Sequence, residues 1–536
     1  MRVLIETRDC PFELEITRVV RLFLSSVEIR YRHLSADSSQ TEVDDEADDT
    51  MTERDLWITL SLSRSNGEVL AVGRLQEAAP GKNRTCFATH RDAPHQCEDA
   101  LPSKKLHKHA VLHVLHQLLE EYTGESTPWG FLTGIRPAKL AHKLILEGQS
   151  ESQIKRELQT EYRLSEERAR LLLEIAQIES SVVPDLYHLD KAVSIYVGIP
   201  FCPTHCAYCT FPAYSMAEKA TYVDDFLAAL ERELAHLGGF LRERKIPVTS
   251  VYVGGGTPTS LRANELERLL ASIHREIPGF RAWRELCVEA GRPDTITPDR
   301  LRVMKDMGVS RISVNPQTFK AETLRHIRRG HTPDQIDHRF HAAREAGFDN
   351  INMDVILGLP GETVEDVRYT MERVGRLDPD SITVHTMALK RSSEVTNDRD
   401  QFRVPDDEIV RTMMKETESC VRGLGHRPYY VYRQMDILGN LENIGFAKPG
   451  KESVYNISII EERQTIVGVG GGAVTKVIGS GGQHVGRLAN PREPKAYIET
   501  IESVVAKKDA LLRKRFSDGS TGGEAKANRS PVDCSC

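Results

Sequence analysis

From residue 191 to about 390, short β-branched runs alternate with stretches whose apolar residues recur at helical spacing. The runs are V-S-I-Y-V-G-I (193–199), T-S-V-Y-V-G-G-G (249–256), E-L-C-V-E-A (285–290), R-I-S-V-N-P-Q (311–317), N-I-N-M-D-V-I-L-G (350–358) and S-I-T-V-H-T (381–386). The first intervening stretch carries Val223, Phe226, Leu227, Leu230, Leu234 and Leu237, a one-sided stripe that predicts an amphipathic helix. Runs of this kind, each followed by a helix, predict βα units and a parallel sheet. Six units rather than eight predict an incomplete barrel, open on one side.

The flanks read differently. Residues 1–190 predict a separate α+β unit, with strand-like runs at Val3–Ile5, Leu56–Leu62 and Val69–Leu75. Helical spacing follows over Lys108–Tyr122 and Ser165–Ile178, with a Pro/Gly-punctuated loop, P-W-G-F-L-T-G-I-R-P (128–137), between them. The acidic stretch T-E-V-D-D-E-A-D-D-T (41–50) reads as a solvated loop. Residues 391–512 predict a C-terminal α+β domain with helices near Asp406–Leu424 and Pro494–Lys507, and an aromatic, glycine-rich section between them. Residues 513–536, which include Cys534 and Cys536, read as a disordered tail with incidental thiols.

Charge and composition narrow the function classes. The 536 residues contain 71 basic and 78 acidic side chains, a net charge of −7, which argues against a dedicated nucleic-acid or anionic-membrane surface. The N-terminal M-R-V-L-I-E-T-R-D-C has too short an apolar run for a signal peptide. No stretch reaches the ~18 apolar residues of a membrane span. A cytoplasmic location is expected. Ten cysteines in a reducing compartment point to metal ligands or redox thiols rather than disulfides.

Three of those cysteines, Cys202, Cys206 and Cys209, fall in I-P-F-C-P-T-H-C-A-Y-C-T-F (199–211). Thiolates are the usual protein ligands of iron–sulfur clusters, and three of them leave one iron of a four-iron cluster open. A structural zinc site wants four ligands in paired knuckles; no second pair follows, and His205 would be a strained fourth ligand. Three buried structural cysteines fit poorly with the exposed character of Pro203, Thr204 and His205. Ligand-binding residues in parallel barrels gather at the C-terminal strand ends. The cysteines follow strand one, G-G-G-T-P-T (254–259) ends strand two, Glu289 ends strand three, Gln317 ends strand four, and Asp354 lies in strand five before G-L-P-G-E-T (358–363). A second glycine-rich segment, V-G-V-G-G-G-A (467–473), formally fits a dinucleotide fingerprint. That fingerprint needs a helix next, whereas V-T-K-V-I-G is β-like, so a hairpin turn is predicted.

The motif C-x3-C-x-Tyr-C after the first strand of a βα array resembles the radical S-adenosylmethionine superfamily, including Tyr208 before the last cysteine. The resemblance implies a partial (β/α)6 radical-SAM barrel and a [4Fe-4S] cluster held by Cys202, Cys206 and Cys209. It also implies an S-adenosyl-L-methionine cofactor cleaved to a 5′-deoxyadenosyl radical. Y-V-G-I-P-F-C, G-G-G-T-P-T, V-N-P-Q-T-F, I-R-R-G-H-T and M-D-V-I-L-G-L-P-G-E-T together resemble the oxygen-independent coproporphyrinogen III oxidases and their relatives. The outer segments 128–137 and P-Y-Y-V-Y-R-Q-M-D-I-L-G-N-L-E-N-I-G-F-A (428–447) resemble the HemZ-type coproporphyrinogen dehydrogenases within that family. The resemblance implies that Tyr196 contacts S-adenosylmethionine beside the cluster and that Gly255, Gly256 and Thr257 take its amino group and neighbouring atoms. By the same resemblance Glu289, Gln317, Arg329 and Asp354 hold its polar and ribose groups. For Arg329, a solvated cation at a helix end is an equally good reading.

The implied reaction is oxidative decarboxylation of coproporphyrinogen III to protoporphyrinogen IX, with an electron donor and an electron acceptor completing the partners. One position departs from the oxidases: Phe211 stands where they have a further cysteine, as it does in the family's haem-handling chaperones. The H-N-x-x-Y-W segment of those chaperones is absent from this sequence. A haem-binding chaperone, or a radical enzyme acting on another substrate such as tRNA, are the alternatives. Residues 391–512 are expected on the substrate side, with Lys390, Arg391 and Arg433 as candidate partners of the substrate carboxylates. Tyr429, Tyr430 and Tyr432 are candidates to pack on the macrocycle.

Overall fold

The computed structural model of the protein describes residues 1–24, 27–34, 55–65, 68–77, 85–92, 103–132, 134, 136–211, 213–479, 482 and 484–516. The acidic stretch 41–50, the tail from 517 onward and its Cys534 and Cys536 lie outside the described residues. Two compact units are present, one over residues 1–173 and one from 174 onward. Among the described residues no helix is long and apolar enough to cross a membrane.

The first unit is a five-stranded sheet. Its strands are β1 (Arg2–Arg8), β2 (Glu28–Leu34), β3 (Leu56–Ser65), β4 (Glu68–Glu77) and β5 (Thr85–Asp92), in the order β2-β1-β3-β4-β5. β1 is parallel to both β2 and β3, while β3, β4 and β5 form an antiparallel meander. Ile16, Val19 and Val20 of helix Glu13–Phe23 join Ala110, Val114, Leu115 and Leu118 of helix Ser103–Thr123 in one buried core with the strands. Gly73 lets that second helix lie close on β4, because a Cβ there would come within 2.5 Å of Val114. β2 and β5 escape the hydrophobic pattern because both are edge strands. E-I-R-Y-R-H-L and T-C-F-A-T-H-R-D keep polar residues on most solvent-facing positions.

In the second unit all six β-branched runs form strands, named here β6 (Val193–Ile199), β9 (Val248–Gly255), β10 (Glu285–Val288), β11 (Arg311–Ser313), β12 (Ile351–Leu357) and β13 (Ser381–Thr386). Between the first two lies a ribbon of β7 (Phe201–Cys202) and β8 (Tyr214–Ser215). The six pair in parallel and in chain order. Helices at Val223–Glu243, Ala263–Glu276, Pro298–Asp306, Pro333–Glu345 and Val364–Leu377 intervene. The fold is therefore the mixed α/β partial barrel that the pattern predicts.

Residues 391–512 were expected as a domain of their own, and the structure corrects that. Their strands β14 (Arg427–Tyr432), β15 (Asn443–Ala447), β16 (Thr465–Gly470), β17 (Val474–Ile478) and β18 (His484–Ala489) extend the same eleven-stranded sheet at both ends. β15 runs antiparallel beside β13, whereas β16 lies parallel to β6 and becomes a seventh parallel strand. The glycine-rich 467–473 segment is the end of β16 and its hairpin turn into β17, and no helix follows. Its glycines serve backbone contact: a Cβ on Gly470 (φ 86) would lie 2.4 Å from the Gly198 carbonyl of β6.

Candidate functional site

The cysteine loop leaves the end of β6 and is closed at its base by the β7–β8 ribbon, which pairs Phe201 with Tyr214 and Cys202 with Ser215. The Cys209 amide donates to the Cys206 carbonyl (3.0 Å) and the Ala207 amide to the Ile327 carbonyl (3.1 Å), which fixes the turn holding the second and third thiols. Cys202 Sγ lies 3.3 Å from Thr257 Oγ1. Two guanidiniums converge on Cys206: Arg292 Nη1 at 3.4 Å and Arg329 Nη1 at 3.7 Å from its sulfur. Burial pushes the Cys202 thiol up to about 11, with the charges of Cys209 and Cys206 adding to it, and burial also raises Cys209. Three thiols on one loop, with Cys202 and Cys209 pushed up and arginines beside Cys206, are a set that a cationic metal centre stabilises as thiolates. His205 is exposed on the rim of the loop.

Next along the sheet is G-G-G-T-P-T. Gly255 has φ 109, a conformation that L side chains rarely adopt. The Gly256 and Thr257 amides donate to the carbonyls of Ile199 and Phe201, 2.7 Å in each case, so the segment's close backbone approach is to the start of the cysteine loop. A Cβ on Gly254 would come within 2.9 Å of the Glu289 carboxyl group; its absence leaves Glu289 room above the strand end.

Glu289 accepts a short hydrogen bond from the Tyr252 phenol. Burial raises its pKa to about 7, helped by the Asp354 charge and opposed by the Tyr252 and Gly255 hydrogen bonds. Asp354 behaves oppositely. Burial pushes it up, but the neighbouring His385 imidazole and the hydrogen bond from the Asn352 amide hold it below the usual carboxylate range. Asn315 Nδ2 and Asn352 Nδ2 each donate to Asp354 at 2.7 Å, and His385 Nε2 lies 3.7 Å from its Oδ2. One acid poised near neutrality therefore sits beside one held ionised. Gln317 is clamped with φ 65 between the Asp354 carbonyl and the Ile356 amide. Its buried Oε1 has no hydrogen-bond partner. A buried amide oxygen without a partner at a strand end fits a site that receives a polar ligand.

Arg329 is not the solvated helix-end cation. Its guanidinium donates to the carbonyls of Gly291 and Asn315, both at 3.0 Å, and faces the cysteine loop. Burial opposes its charge, and Tyr208 and Cys206 offset that. Tyr208 is pushed up by burial, with Arg329 acting against the shift, so phenol and guanidinium share the loop's inner side. Tyr196 stacks on Tyr252 (6.1 Å) and Tyr455 (6.4 Å) inside the barrel.

The structure adds residues that sequence reasoning missed. Arg292 is only 2% exposed; it forks onto Asp294 and donates to the Thr204 carbonyl and hydroxyl, pinning the cysteine loop. Its signal was available in E-A-G-R-P-D, a cation just past a strand end. Tyr252, Asn315 and His385 each gave the weaker signal of a polar residue within or just after an apolar run.

The substrate-side candidates divide. Lys390 and Arg391 are exposed, with Lys390 close enough to Cys209 to feel its charge. Arg433 is 4% exposed and donates to Leu441 and Asn440, so it closes the turn before β15 and is not free to meet a substrate. Tyr429 and Tyr430 are core residues. Tyr432 is half-buried, with its hydroxyl 3.2 Å from His385 Nδ1. Phe211, two residues after Cys209, is 63% exposed.

Residues 196–374 match the family model of the radical SAM superfamily. The chain is 42% identical over 462 residues to the oxygen-independent coproporphyrinogen-III oxidase-like protein HemZ of Bacillus subtilis, covering 86% of this chain and 91% of that one. It is 30% identical over 310 residues to the haem chaperone HemW of the same organism, covering 58% and 76%. Over 199 residues it is 34% identical to the oxygen-independent coproporphyrinogen III oxidase of Escherichia coli, covering 37% and 42%.

Proposed function

We propose that this chain, which belongs to the radical SAM superfamily and within it to the family of oxygen-independent coproporphyrinogen-III oxidase-like proteins, decarboxylates coproporphyrinogen III to protoporphyrinogen IX without oxygen. The observation that carries the proposal is the 42% identity to a coproporphyrinogen-III oxidase-like protein across 91% of its length, outer segments included.

The superfamily's cofactors are a [4Fe-4S] cluster and S-adenosyl-L-methionine, and the donor set described above fits both. Cys202, Cys206 and Cys209 are the three cluster ligands in this reading. Bound there, the pair supplies a hydrogen-abstracting 5′-deoxyadenosyl radical. Around them the chain's own residues position and shield. Arg329, and Tyr208 beside it, face the side of the loop where a carboxylate is best received. Asp354, held ionised, suits ribose hydroxyls, while Glu289 and the free Gln317 Oε1 offer further polar partners. Tyr196 sits with Tyr252 and Tyr455 in a stack that excludes water beneath the site. Gly255, Gly256 and Thr257 set the floor of the pocket beside Cys202.

Overall, a propionate side chain, –CH2–CH2–COO⁻, would give up one hydrogen atom and one electron, the bound cofactor supplying the hydrogen abstraction and an acceptor taking the electron. The bond to the carboxylate carbon breaks, carbon dioxide leaves and a vinyl group remains; a second propionate repeats it. The hard chemistry is the cofactor's, and the protein contributes orientation and exclusion of water. The exposed Lys390 and Arg391 supply cations for the carboxylates of the substrate. An electron donor for the cluster and an acceptor for the substrate electron complete the system.

A haem-handling role is the second reading, favoured by the similarity to HemW and by the exposed Phe211 beside the cysteines. One experiment separates the two: anaerobic turnover of cluster-loaded protein with coproporphyrinogen III and a strong reductant, read as protoporphyrin after oxidation together with 5′-deoxyadenosine. Both products support the decarboxylase. Release of 5′-deoxyadenosine without decarboxylated porphyrin rejects it, and stoichiometric haem binding in that preparation then assigns the chaperone role.

A further inference from the structure

The first unit contains a second cluster of ligand-type side chains, wholly within residues 1–173 and unrelated to the cysteine loop. His90 and Asp92 stand two residues apart on edge strand β5 and so share one face of it. His109 comes from helix Ser103–Thr123, and Glu161 directly follows helix Glu151–Thr160. One ligand atom from each of the four lies within 4.8 Å of all the others. A divalent ion bonded tetrahedrally at about 2.0–2.2 Å spaces its ligand atoms about 3.3–3.6 Å apart, so side-chain movements of up to about 1.5 Å close the set.

The details favour an ion over a self-satisfied polar cluster. His90 Nε2 is buried without a hydrogen-bond partner, 3.7 Å from Asp92 Oδ1 and 4.0 Å from Glu161 Oε2. It aims between two carboxylates, too far from either for a hydrogen bond. His109 Nδ1 lies 2.7 Å from Asp92 Oδ2, leaving Oδ1 on the His90 side. Both imidazoles are held from behind. His113 stacks on His90 at 3.9 Å while its Nε2 meets the Thr160 carbonyl. Phe131 and Tyr162 pack edge-on against His109.

We propose that the first unit carries a divalent transition-metal site of its own, formed by His90, Asp92, His109 and Glu161. Two imidazoles, two carboxylates and no thiolate suit a borderline ion such as Zn²⁺ or Co²⁺ rather than Ca²⁺ or Cu⁺. The ion would join an edge strand to two helical segments, the kind of cross-link that stabilises a fold by binding only its native form.

The test uses the full chain with its iron–sulfur cluster loaded, so that the loop thiols are occupied, in oxygen-free buffer titrated with Co²⁺ or Zn²⁺. One further Co²⁺ per chain is expected, with ligand-field bands of a nitrogen- and oxygen-ligated ion and without thiolate-to-metal charge-transfer bands. Zn²⁺ should displace it and raise the unfolding temperature of the first unit. His90→Ala should lose both effects. Glu161→Gln, at a half-exposed position that leaves the fold intact, should weaken binding at least tenfold. Iron content and S-adenosylmethionine cleavage should be unchanged in both variants. The assignment is overturned by saturation without any Co²⁺ beyond background. Charge-transfer bands of a thiolate site, or affinity unchanged in Glu161→Gln, overturn it equally.

Discussion

The guanidinium of Arg329 lies 3.7 Å from the sulfur of Cys206 while it donates to the carbonyls of Gly291 and Asn315. The arginine is thereby anchored to the ends of two parallel strands and aimed at the metal-binding loop, with one nitrogen, Nε, left without a partner. Replacing it by methionine should lower S-adenosylmethionine affinity ten- to a hundredfold, the value of a charge-assisted hydrogen bond at about 1.5–3 kcal/mol. Iron loading should persist. Equilibrium binding to the reconstituted protein measures this, and an unchanged affinity would reduce Arg329 to a loop anchor.

Cys202, Cys206 and Cys209 should be individually indispensable. Alanine at any one should abolish the cluster's absorbance, its iron and sulfide content, and S-adenosylmethionine cleavage. Serine at Cys287, which is buried, or at Cys420, which lies on helix Asp407–Gly423, should leave all three intact. Full iron loading in Cys206→Ala would refute the assignment.

Glu289 should imprint a pH dependence on the cofactor-free protein. Its folded pKa, about 7, lies above the ordinary 4.5, so the folded state retains a proton that the unfolded state gives up. The contribution is complete below pH 4.5 and is lost as pH rises through 7, with a total of up to about 3 kcal/mol. Asp354, shifted the other way, loses its contribution only on acidification below its ordinary range and is flat in this window. Denaturant unfolding across the window should show the fall in wild type and a flatter profile in Glu289→Gln. Parallel profiles would mean that the carboxyl titrates normally.

Asp354→Asn should weaken S-adenosylmethionine binding by about ten- to a hundredfold, again the value of a charge-assisted hydrogen bond. It should leave the cluster in place, because Asp354 contacts Asn315, Asn352 and His385 rather than a cysteine. Calorimetry on cluster-loaded protein decides. Loss of iron in this variant would show that the acid supports the loop instead.

Lys508 of the last helix, Ile501–Arg515, forms a buried ion pair with Glu233 of helix Val223–Glu243, and Tyr497 and Asn490 donate to the same carboxylate. Lys508→Met leaves a buried charge without its cation and should cost about 3–5 kcal/mol of stability. An unfolding midpoint within error of wild type would mean that the neutral donors, Tyr497, Asn490 and the Gly470 amide, suffice.

How much of this was legible before folding depends on whether the signal is local. The six parallel strands and their order follow from residues near in sequence, since βα units place consecutive strands side by side. The cluster cysteines share one loop of eight residues, from Cys202 to Cys209, and strand-end positions such as Glu289, Gln317 and Asp354 follow from where each apolar run stops. The resemblance to radical SAM proteins rests on those same short motifs.

Local patterns along the chain thus specify the parallel core, its ligand-binding end and the thiol set. The remaining features emerge on folding, because they join residues far apart in the chain. β16 pairs with β6 across some 270 intervening residues, a partnership no period in the sequence encodes, and it turns an expected separate domain into part of one sheet. Arg433 and Tyr430 carry the right chemistry for a substrate pocket, yet packing buries both. His385 becomes part of the site only because β13 lies beside β12 in a register that sets its ring near Asp354. The first unit's His90, Asp92, His109 and Glu161 converge from an edge strand and two helical segments. Burial and proximity are properties of the folded chain, and they decide which chemically suitable side chains remain available.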